Sequence, residues 1–252
     1  MTAFLGIDSS LSGRRWVGPL ADLERRAEGL AQQAALPLAV ARVLAERGVP
    51  PEEAAGFLSP KLRDLLPDPL TLRDMEVAAA RLVDAAVTGK RVAIFADYDV
   101  DGGSSAALLI DWLGQHGRQA TLYIPDRIDE GYGPNIPAMT ALAAAHDLIV
   151  CVDCGTLSHD ALAAAAGCDV IVLDHHLGGE TLPPALAVVN PNRMDEDGAL
   201  GHLCAAGVVF LTLVQAGRVL RERGLPQPDL MAMLDLVALA TVADVAPLVG
   251  VN

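Results

Sequence analysis

The pattern of apolar and polar positions along this 252-residue chain changes near Lys90. Before that point, apolar residues recur at helical spacing in short runs that proline and glycine interrupt. After it, short apolar runs rich in β-branched residues alternate with runs rich in alanine and leucine, which predicts βαβ units. We therefore predict an α/β fold with a mostly parallel five-stranded sheet and flanking helices over residues 89–252. A helical N-terminal extension over residues 1–88 precedes it.

Five strands and several helices can be placed on this pattern. The strands are predicted at 92–96, 121–124, 148–152, 170–173 and 187–189. Helices at 106–116, 137–145 and 159–166 separate most of them. In the N-terminal extension, a helix over 36–47 ends at Gly48, and Asp74 caps a helix that runs to Val87. Because the strands are predicted to be parallel, polar residues that follow them gather at one edge of the sheet.

The first strand ends in three alternating carboxylates, Asp97, Asp99 and Asp101. If the backbone stays extended through Asp101, these side chains share one face, since residues two apart point the same way in a strand. Their mutual repulsion raises at least one pKa or is relieved by a cation. Clustered carboxylate oxygens suit Mg²⁺ or Mn²⁺, so this segment predicts a site for a hard divalent cation.

Two glycines and two serines follow the acidic segment. We expect Gly102 and Gly103 to give the backbone room to turn. Ser104 or Ser105 is then the predicted cap of the helix over 106–116. The predicted order is therefore a strand, an acidic turn and a helix.

Two further strand ends carry side chains of the kind that bind metals. Asp153 follows the third strand, and Asp174, His175 and His176 follow the fourth. Adjacent side chains diverge in an extended backbone, so unless the chain turns at once, one histidine binds metal and the other faces substrate. Asp174 either binds metal or orients a histidine from behind. Near the C-terminal end, Asp244 leaves a predicted helix just before a proline and is a further candidate ligand.

Composition narrows the classes of function. The net charge of −14 argues against non-specific wrapping of duplex DNA, because neutralising phosphates requires Lys and Arg, but it is compatible with a local phosphate site. The longest apolar runs are too short or too interrupted to span a bilayer, and the N-terminus has no signal-peptide pattern. We therefore predict a cytoplasmic protein that does not contact membranes. Four cysteines in apolar contexts do not indicate a disulfide framework.

Four or more carboxylates with one or two histidines fit a two-metal centre, for which phosphoester hydrolysis is the natural reaction. No serine or cysteine nucleophile with an attendant base is apparent, and there is neither a P-loop motif nor a dinucleotide fingerprint. The segment from Asp99 to Gly102 also resembles the nucleophile motif of haloacid-dehalogenase-type phosphatases, in which the first aspartate attacks phosphorus. That class would leave His175 and His176 without a role.

Four segments in this order resemble the motifs of the DHH phosphoesterase superfamily. They are Asp97-Tyr-Asp-Val-Asp-Gly102, Val152-Asp-Cys-Gly155, Asp174-His-His176 and Ala240-Thr-Val-Ala-Asp-Val-Ala-Pro-Leu248. Within the superfamily, Gly131-Tyr-Gly133, Asn190-Pro-Asn192 and Leu203-Cys-Ala-Ala-Gly207 are similar to the RecJ family of single-strand-specific 5′→3′ DNA exonucleases. The resemblance covers nearly the whole chain.

The resemblance implies a role for each matching residue. It implies metal binding by Asp99, Asp101, Asp153, His175 and Asp244. It places His176 against the scissile phosphate, Asp97 and Asp174 among or just behind the ligands, and Arg127 on a backbone phosphate. The implied cofactors are two Mn²⁺ or Mg²⁺ ions, and the implied substrate is single-stranded DNA in repair and recombination. A single-strand-binding protein or a helicase is the implied partner.

Alternatives within the same superfamily stay open at this point. They are a pyrophosphatase, a cyclic-dinucleotide diesterase, and a non-catalytic scaffold similar to RecJ. Family members continue past the fourth motif into further domains, so we expect residues 89–252 to form a DHH domain truncated at its C-terminal end. Because single-strand binding needs positive charge and stacking faces, we also expect weak DNA binding and reduced activity from this chain alone.

Overall fold

The computed structural model describes residues 3–18 and 20–252, and the chain divides into two compact units. The first unit ends at Leu66, and the second spans Pro67–Asn252. The sequence pattern placed a boundary after residue 88 instead. The difference arises from the helix Met75–Thr88, which packs against the last strand of the sheet and against a long helix of the second unit. None of the helices among the described residues is long and apolar enough to cross a membrane.

The first unit is helical. Its helices are α1 (Ala21–Gln33), α2 (Leu38–Glu46), α3 (Ala54–Leu58) and α4 (Leu62–Leu65), with 3₁₀ turns at Phe4–Gly6 and Pro51–Glu53. Gly48 follows α2 with a φ of 74°, the left-handed conformation that glycine adopts without strain. A small apolar core joins the first three helices through Leu30, Ala41, Leu44 and Ala54.

The second unit is a parallel sheet with helices between the strands. It runs α5 (Met75–Thr88), β1 (Val92–Ala96), α6 (Val100–Gln115), β2 (Ala120–Tyr123), α7 (Ile136–Ala145), β3 (Leu148–Val152), α8 (His159–Ala163), β4 (Asp169–Leu173), β5 (Ala187–Val189), α9 (Ala205–Glu222) and α10 (Leu234–Ala243). The sheet order is β2-β1-β3-β4-β5, and every pairing is parallel. The predicted α/β fold is confirmed, and each strand lies within one residue of its predicted position.

Both faces of the sheet are covered by helices. One set of alternate strand residues, including Phe95, Ile149 and Val172, packs with Met139 of α7 and Leu162 of α8. The other set points to the opposite face, where α5, α6 and α9 contact the strands. The middle strands are therefore buried on both sides, which explains why they read as continuous apolar runs.

Two predicted helix caps are wrong. The helix α6 begins at Val100, six residues earlier than predicted, and its cap is Asp99, whose carboxylate accepts a hydrogen bond from the Gly102 N–H at 2.9 Å. Asp74 precedes α5 but has a φ of 59°, and its side chain makes no cap hydrogen bond. Its carboxylate instead accepts from the Val188 N–H at 3.1 Å and from the Arg193 guanidinium at 2.8 Å. Asp74 thus ties the start of α5 to the edge strand of the sheet.

Candidate metal centre

The carboxyl ends of four neighbouring strands deliver polar side chains to one edge of the sheet. β1 is followed by Asp97, β3 by Asp153, β4 by Asp174 and the two histidines, and β5 by Asn190. Within the described residues, three groups have ligand atoms that lie within 4.8 Å of one another. They are Asp97–Asp99–Asp153, Asp153–His175–His176 and Asp101–His175–Asp244. The groups overlap, because Asp153 and His175 each belong to two of them.

The three alternating aspartates reach this edge by a route that the sequence did not predict. The backbone turns into α6 at Val100, so the three aspartates do not line one face of a strand. Asp101 lies in the first helical turn, and its buried carboxylate accepts hydrogen bonds from the N–H groups of Ala205 (2.6 Å) and Ala206 (2.8 Å). These N–H groups open α9, where backbone donors and the helix dipole favour an anion. One carboxylate oxygen of Asp101 still lies 3.7 Å from Nε2 of His175.

Gly102 is needed because the backbone of Asp97 lies against it. A Cβ at Gly102 would lie 2.8 Å from the carbonyl carbon of Asp97 and closer still to its oxygen, whereas a Cβ at Gly103 would meet no atom within 4 Å. Gly102→Ala is therefore expected to lower the free energy of unfolding by about 1–3 kcal/mol through overpacking. Gly103→Ala is the matched control and is expected to raise it by about 0.5–1 kcal/mol, since alanine favours a helix. Urea unfolding measures both free energies. Equal changes in the two variants would show that contact with the Asp97 backbone is not what requires glycine at position 102.

Asp153 is buried and strained. Its φ is 59°, a left-handed conformation that is uncommon for residues other than glycine, and its side chain is only 2% exposed. Burial raises the pKa of Asp153 to about 8, and the neighbouring carboxylates of Asp101 and Asp99 act in the same direction while His175 opposes them. Strain and desolvation at one residue are typical of a functional site.

His175 lies among the carboxylates. Its Nε2 is 3.3 Å from Oδ1 of Asp153, and its Nδ1 is 3.9 Å from Oδ2 of Asp244, which follows the last residue of α10. Burial alone lowers the pKa of His175, but Asp153, Asp101 and Asp244 outweigh it and raise the pKa to about 9. The imidazole therefore compensates part of the negative charge of the site.

The donor set fits a divalent cation. Among the described residues, Oδ1 of Asp97 is buried and has no hydrogen-bond partner, and Oδ1 of Asp153 is buried with the ion-pair contact to His175 at 3.3 Å. Burial also raises the pKa of Asp97, although the N–H of Tyr98 lowers it in part. A buried carboxylate oxygen without a partner is costly, and a bound cation removes that cost. Carboxylate oxygens with one imidazole are ligands suited to Mn²⁺ and Mg²⁺.

Asp174 organises the turn that carries the histidines. Its Oδ1 accepts hydrogen bonds from the N–H groups of His175 (2.8 Å) and His176 (3.2 Å) and lies 2.8 Å from Nδ1 of His176. Its Oδ2 accepts from the Thr156 N–H at 3.1 Å. Burial alone raises the pKa of Asp174, but the hydrogen bonds from His176 and Thr156 outweigh it and lower the pKa. Of the two roles predicted for Asp174, the geometry matches the one that orients a histidine.

The chain turns directly after β4, so the two imidazoles stay close together. Their ring centroids are 4.6 Å apart. His176 is about half exposed, and its Nδ1 lies 3.9 Å from Oδ1 of Asp153 but already contacts Asp174. Nδ1 of His176, which could approach a cation shared with Asp153, is therefore engaged by Asp174. Nε2 lies 3.3 Å from the Tyr132 hydroxyl.

Comparison of the sequence with known protein families finds a match that includes the residues at this edge of the sheet. The DHH family, N-terminal domain, matches residues 91–241, which include all four strand ends. The chain belongs to the DHH family. Its relatives include the single-stranded-DNA-specific exonuclease RecJ of Dickeya dadantii, which is 40% identical over 224 residues. That alignment covers 84% of this chain but only 38% of the relative, so this chain spans about two fifths of the relative's length.

Solved RecJ structures have a similar fold. RecJ from Thermus thermophilus in complex with Mn²⁺ matches 93% of this chain at 33% identity with a TM-score of 0.71, and this chain covers 32% of it. The same protein in complex with Mg²⁺ matches 93% of this chain at 29% identity with a TM-score of 0.57, and this chain covers 28% of it. The resemblance to RecJ predicted from the sequence is confirmed.

Arg127 belongs to none of the three groups of candidate metal ligands. It is exposed on the loop between β2 and α7, and its guanidinium lies over the ring of Tyr98, 4.9 Å from the ring centroid. Its charge is near enough to lower the pKa of Asp97 slightly against the larger effect of burial. Tyr98 follows Asp97 directly, so Arg127 flanks the acidic end of β1.

Sequence reasoning missed the residues that clamp the histidine turn of this DHH chain. The buried amide of Asn190 donates to Thr156 Oγ1 and to the carbonyl of His176, both at 2.8 Å. Asn192 donates to the carbonyl of His175. The signal was present as an Asn-Pro-Asn segment at a strand end, but nothing local shows that its amides face the histidine carbonyls.

Proposed function

We propose that this chain carries the phosphodiesterase centre of a metal-dependent exonuclease that degrades single-stranded DNA from its 5′ end. The observation that carries the proposal is that Asp153 belongs to two overlapping ligand groups, because a carboxylate with two oxygens can bridge two neighbouring cations. The RecJ relatives support a nuclease over a pyrophosphatase, a cyclic-dinucleotide diesterase or a non-catalytic scaffold. The cofactors in this proposal are two Mn²⁺ or Mg²⁺ ions, in line with the ions of the Thermus structures.

The proposed ligands are Asp99, Asp101, Asp153, His175 and Asp244, with the unpartnered oxygen of Asp97 beside them. When bound, the cations supply hydroxide from water at neutral pH and stabilise charge on the attacking and leaving oxygens. Asp101 lies in α6 and accepts hydrogen bonds from the first N–H groups of α9, so it holds both helices beside the proposed metal centre. Asp174, Asn190 and Asn192 fix the backbone of the histidine turn.

His176 and Arg127 are the proposed contacts to the substrate. Asp174 holds Nδ1 of His176, so Nε2 remains to donate to or accept from the scissile phosphate group. Arg127, stacked on Tyr98 beside Asp97, presents a guanidinium to a backbone phosphate. A localised pair of phosphate contacts suits a chain whose net charge of −14 disfavours broad DNA binding.

The proposed biological setting is DNA repair and recombination. A single-strand-binding protein or a helicase as partner stays a prediction from the family resemblance, and a cytoplasmic location stays a prediction from the apolar pattern of the sequence. The sequence similarity to RecJ supports the setting, since the Dickeya relative is a single-stranded-DNA-specific exonuclease.

Metal addition is expected to stabilise the chain and to switch on hydrolysis. At a free Mn²⁺ concentration one hundred times the dissociation constant, the free energy of unfolding should rise by about 2.7 kcal/mol per site. A 5′-labelled single-stranded oligonucleotide should release labelled mononucleotide with Mn²⁺ and none with EDTA. Three substrates serve for comparison with the single strand: the same oligonucleotide in a blunt duplex, pyrophosphate and a cyclic dinucleotide. Preferential turnover of either small molecule would overturn the proposed substrate while leaving the metal centre intact.

A further inference from the structure

Tyr132 stands where two parts of the centre meet. Its hydroxyl donates to the carbonyl of Asp153 at 3.3 Å, and the same oxygen lies 3.3 Å from Nε2 of His176. The two rings meet edge-on, with centroids 5.9 Å apart and planes at 73°. One hydroxyl thus contacts both the strained residue after β3 and the half-exposed histidine after β4.

The loop that presents Tyr132 is held by bonds that do not involve the histidine. Gly131 and Gly133, on either side of Tyr132, have φ values of 85° and 71°, left-handed conformations that let the backbone reverse on both sides of the ring. Before them, the Glu130 carboxylate accepts from the Asp126 N–H (2.8 Å), from the Asn135 amide (3.2 Å) and from the Tyr123 hydroxyl. The position of Tyr132 is therefore set by its own loop.

Among the described residues, Tyr132 and Asp174 are the two side chains that hydrogen-bond the His176 ring. Asp174 holds the ring at Nδ1 only, and the side chain is about half exposed. An imidazole held at one nitrogen can still tilt about that bond, which would move Nε2 away from a bound phosphate. The single hydroxyl hydrogen of Tyr132 is donated to the Asp153 carbonyl, so its oxygen lies against the imidazole, 3.3 Å from Nε2 and 3.5 Å from Nδ1, and limits that tilt.

We propose that Tyr132 is a positioning residue that fixes the His176 imidazole in its working orientation, using the Asp153 carbonyl as its own anchor. The proposal rests on the proposed function in one respect: that function supplies the phosphate group that His176 contacts. It concerns a contact within this chain, so it can be tested without turnover.

The first test follows the His176 ring in the metal-free chain by ¹³C–¹H correlation spectra of the imidazoles, with the His176 signal assigned by its loss in His176→Gln. In Tyr132→Phe the His176 signals should shift and broaden, because the ring loses its second contact while the tyrosine position stays filled. Tyr123→Phe is the matched control: it removes a hydroxyl that β2 directs at Glu130 of the same loop, Glu130 keeps two donors, and the His176 signals should not move. Identical His176 signals in wild type and Tyr132→Phe would overturn the proposal.

The second test uses Mn²⁺-dependent nucleotide release from single-stranded DNA. Tyr132→Phe should lower kcat about tenfold, the scale of one lost hydrogen bond, and leave KM and Mn²⁺ affinity unchanged. A raised KM with unchanged kcat would mean that Tyr132 binds substrate directly and would overturn the positioning role. If the wild-type chain releases no nucleotide, the proposed function fails, and the spectra alone decide the role of Tyr132.

Discussion

Asp153→Asn is expected to weaken Mn²⁺ binding by at least about a hundredfold, because residues that merely support ligands already change metal affinity by 10–100-fold. Asp153 belongs to two of the three ligand groups, so the substitution removes a carboxylate oxygen from both at once. Asparagine tolerates the left-handed conformation that Asp153 adopts with a φ of 59°, so the backbone should stay in place. Calorimetric titration of the metal-free chain with Mn²⁺ measures the affinity and the stoichiometry.

The same substitution should act in the opposite direction on the stability of the metal-free chain. Oδ1 of Asp153 is buried with the ion-pair contact to Nε2 of His175 at 3.3 Å, and burial raises the pKa of this carboxyl to about 8. Above that pKa the wild-type carboxyl is ionised, so removing the charge should there raise the free energy of unfolding in EDTA by about 1 kcal/mol, the lower end of the desolvation cost of a buried polar group. Excess Mn²⁺ should then stabilise the wild type but not the variant.

Asp111→Asn is the matched control for charge, since Asp111 is exposed on α6 and its carboxylate accepts a hydrogen bond from Gln115. It should leave both the Mn²⁺ affinity and the stability within error of the wild type. If Asp153→Asn retained the wild-type affinity and stoichiometry, Asp153 could not be the shared ligand, and the assignment of the centre would have to be abandoned.

The strands could be predicted closely because each is a short, uninterrupted apolar run. β1, β3 and β5 coincide with the predicted ranges, and β2 and β4 differ by one residue at their starts or ends. Burial on both faces demands apolar residues at every position, and polar residues then mark each carboxyl end. The gathering of Asp97, Asp153, Asp174 and Asn190 at one edge follows from parallel pairing alone.

The acidic segment could not be predicted from local rules because its conformation depends on distant partners. Two glycines at the start of α6 disfavour a helix, which made an extended turn the natural prediction. The helix forms there because Asp99 caps it and because Asp101 contacts the first N–H groups of α9, about a hundred residues away in sequence. Sequence reasoning placed no helix at 205–222, so it could not identify this partner.

Asp74 illustrates the same limit. Its place before a helical run is a sound local signal for a helix cap. In the structure its carboxylate serves Val188 and Arg193, more than a hundred residues further along the chain. Local signals therefore located the elements, while the carboxylates that join distant elements could be assigned only after the fold was known.

His176→Ala is expected to lower turnover about a thousandfold, within the range of a lost general acid or base, while Mn²⁺ affinity stays within about threefold of the wild type. The reason is that Asp174 engages Nδ1 at 2.8 Å, the nitrogen that lies 3.9 Å from Oδ1 of Asp153, and so keeps it from a cation held by Asp153. His175→Ala is expected to lose Mn²⁺ affinity instead. In the wild type, Nε2 of His175 lies 3.3 Å from Asp153 and 3.7 Å from Asp101.

The comparison of the two histidine variants separates a ligand from a substrate contact. Mn²⁺ titration and nucleotide release should be measured on both, with His159→Ala as the control, since His159 begins α8 and lies outside the three ligand groups. Loss of Mn²⁺ binding in His176→Ala would show that Nδ1 exchanges Asp174 for a cation, and the group Asp153–His175–His176 would then be a true metal site. Retained binding with lost turnover leaves the phosphate as the partner of Nε2, because this nitrogen has only the Tyr132 hydroxyl beside it among the described residues.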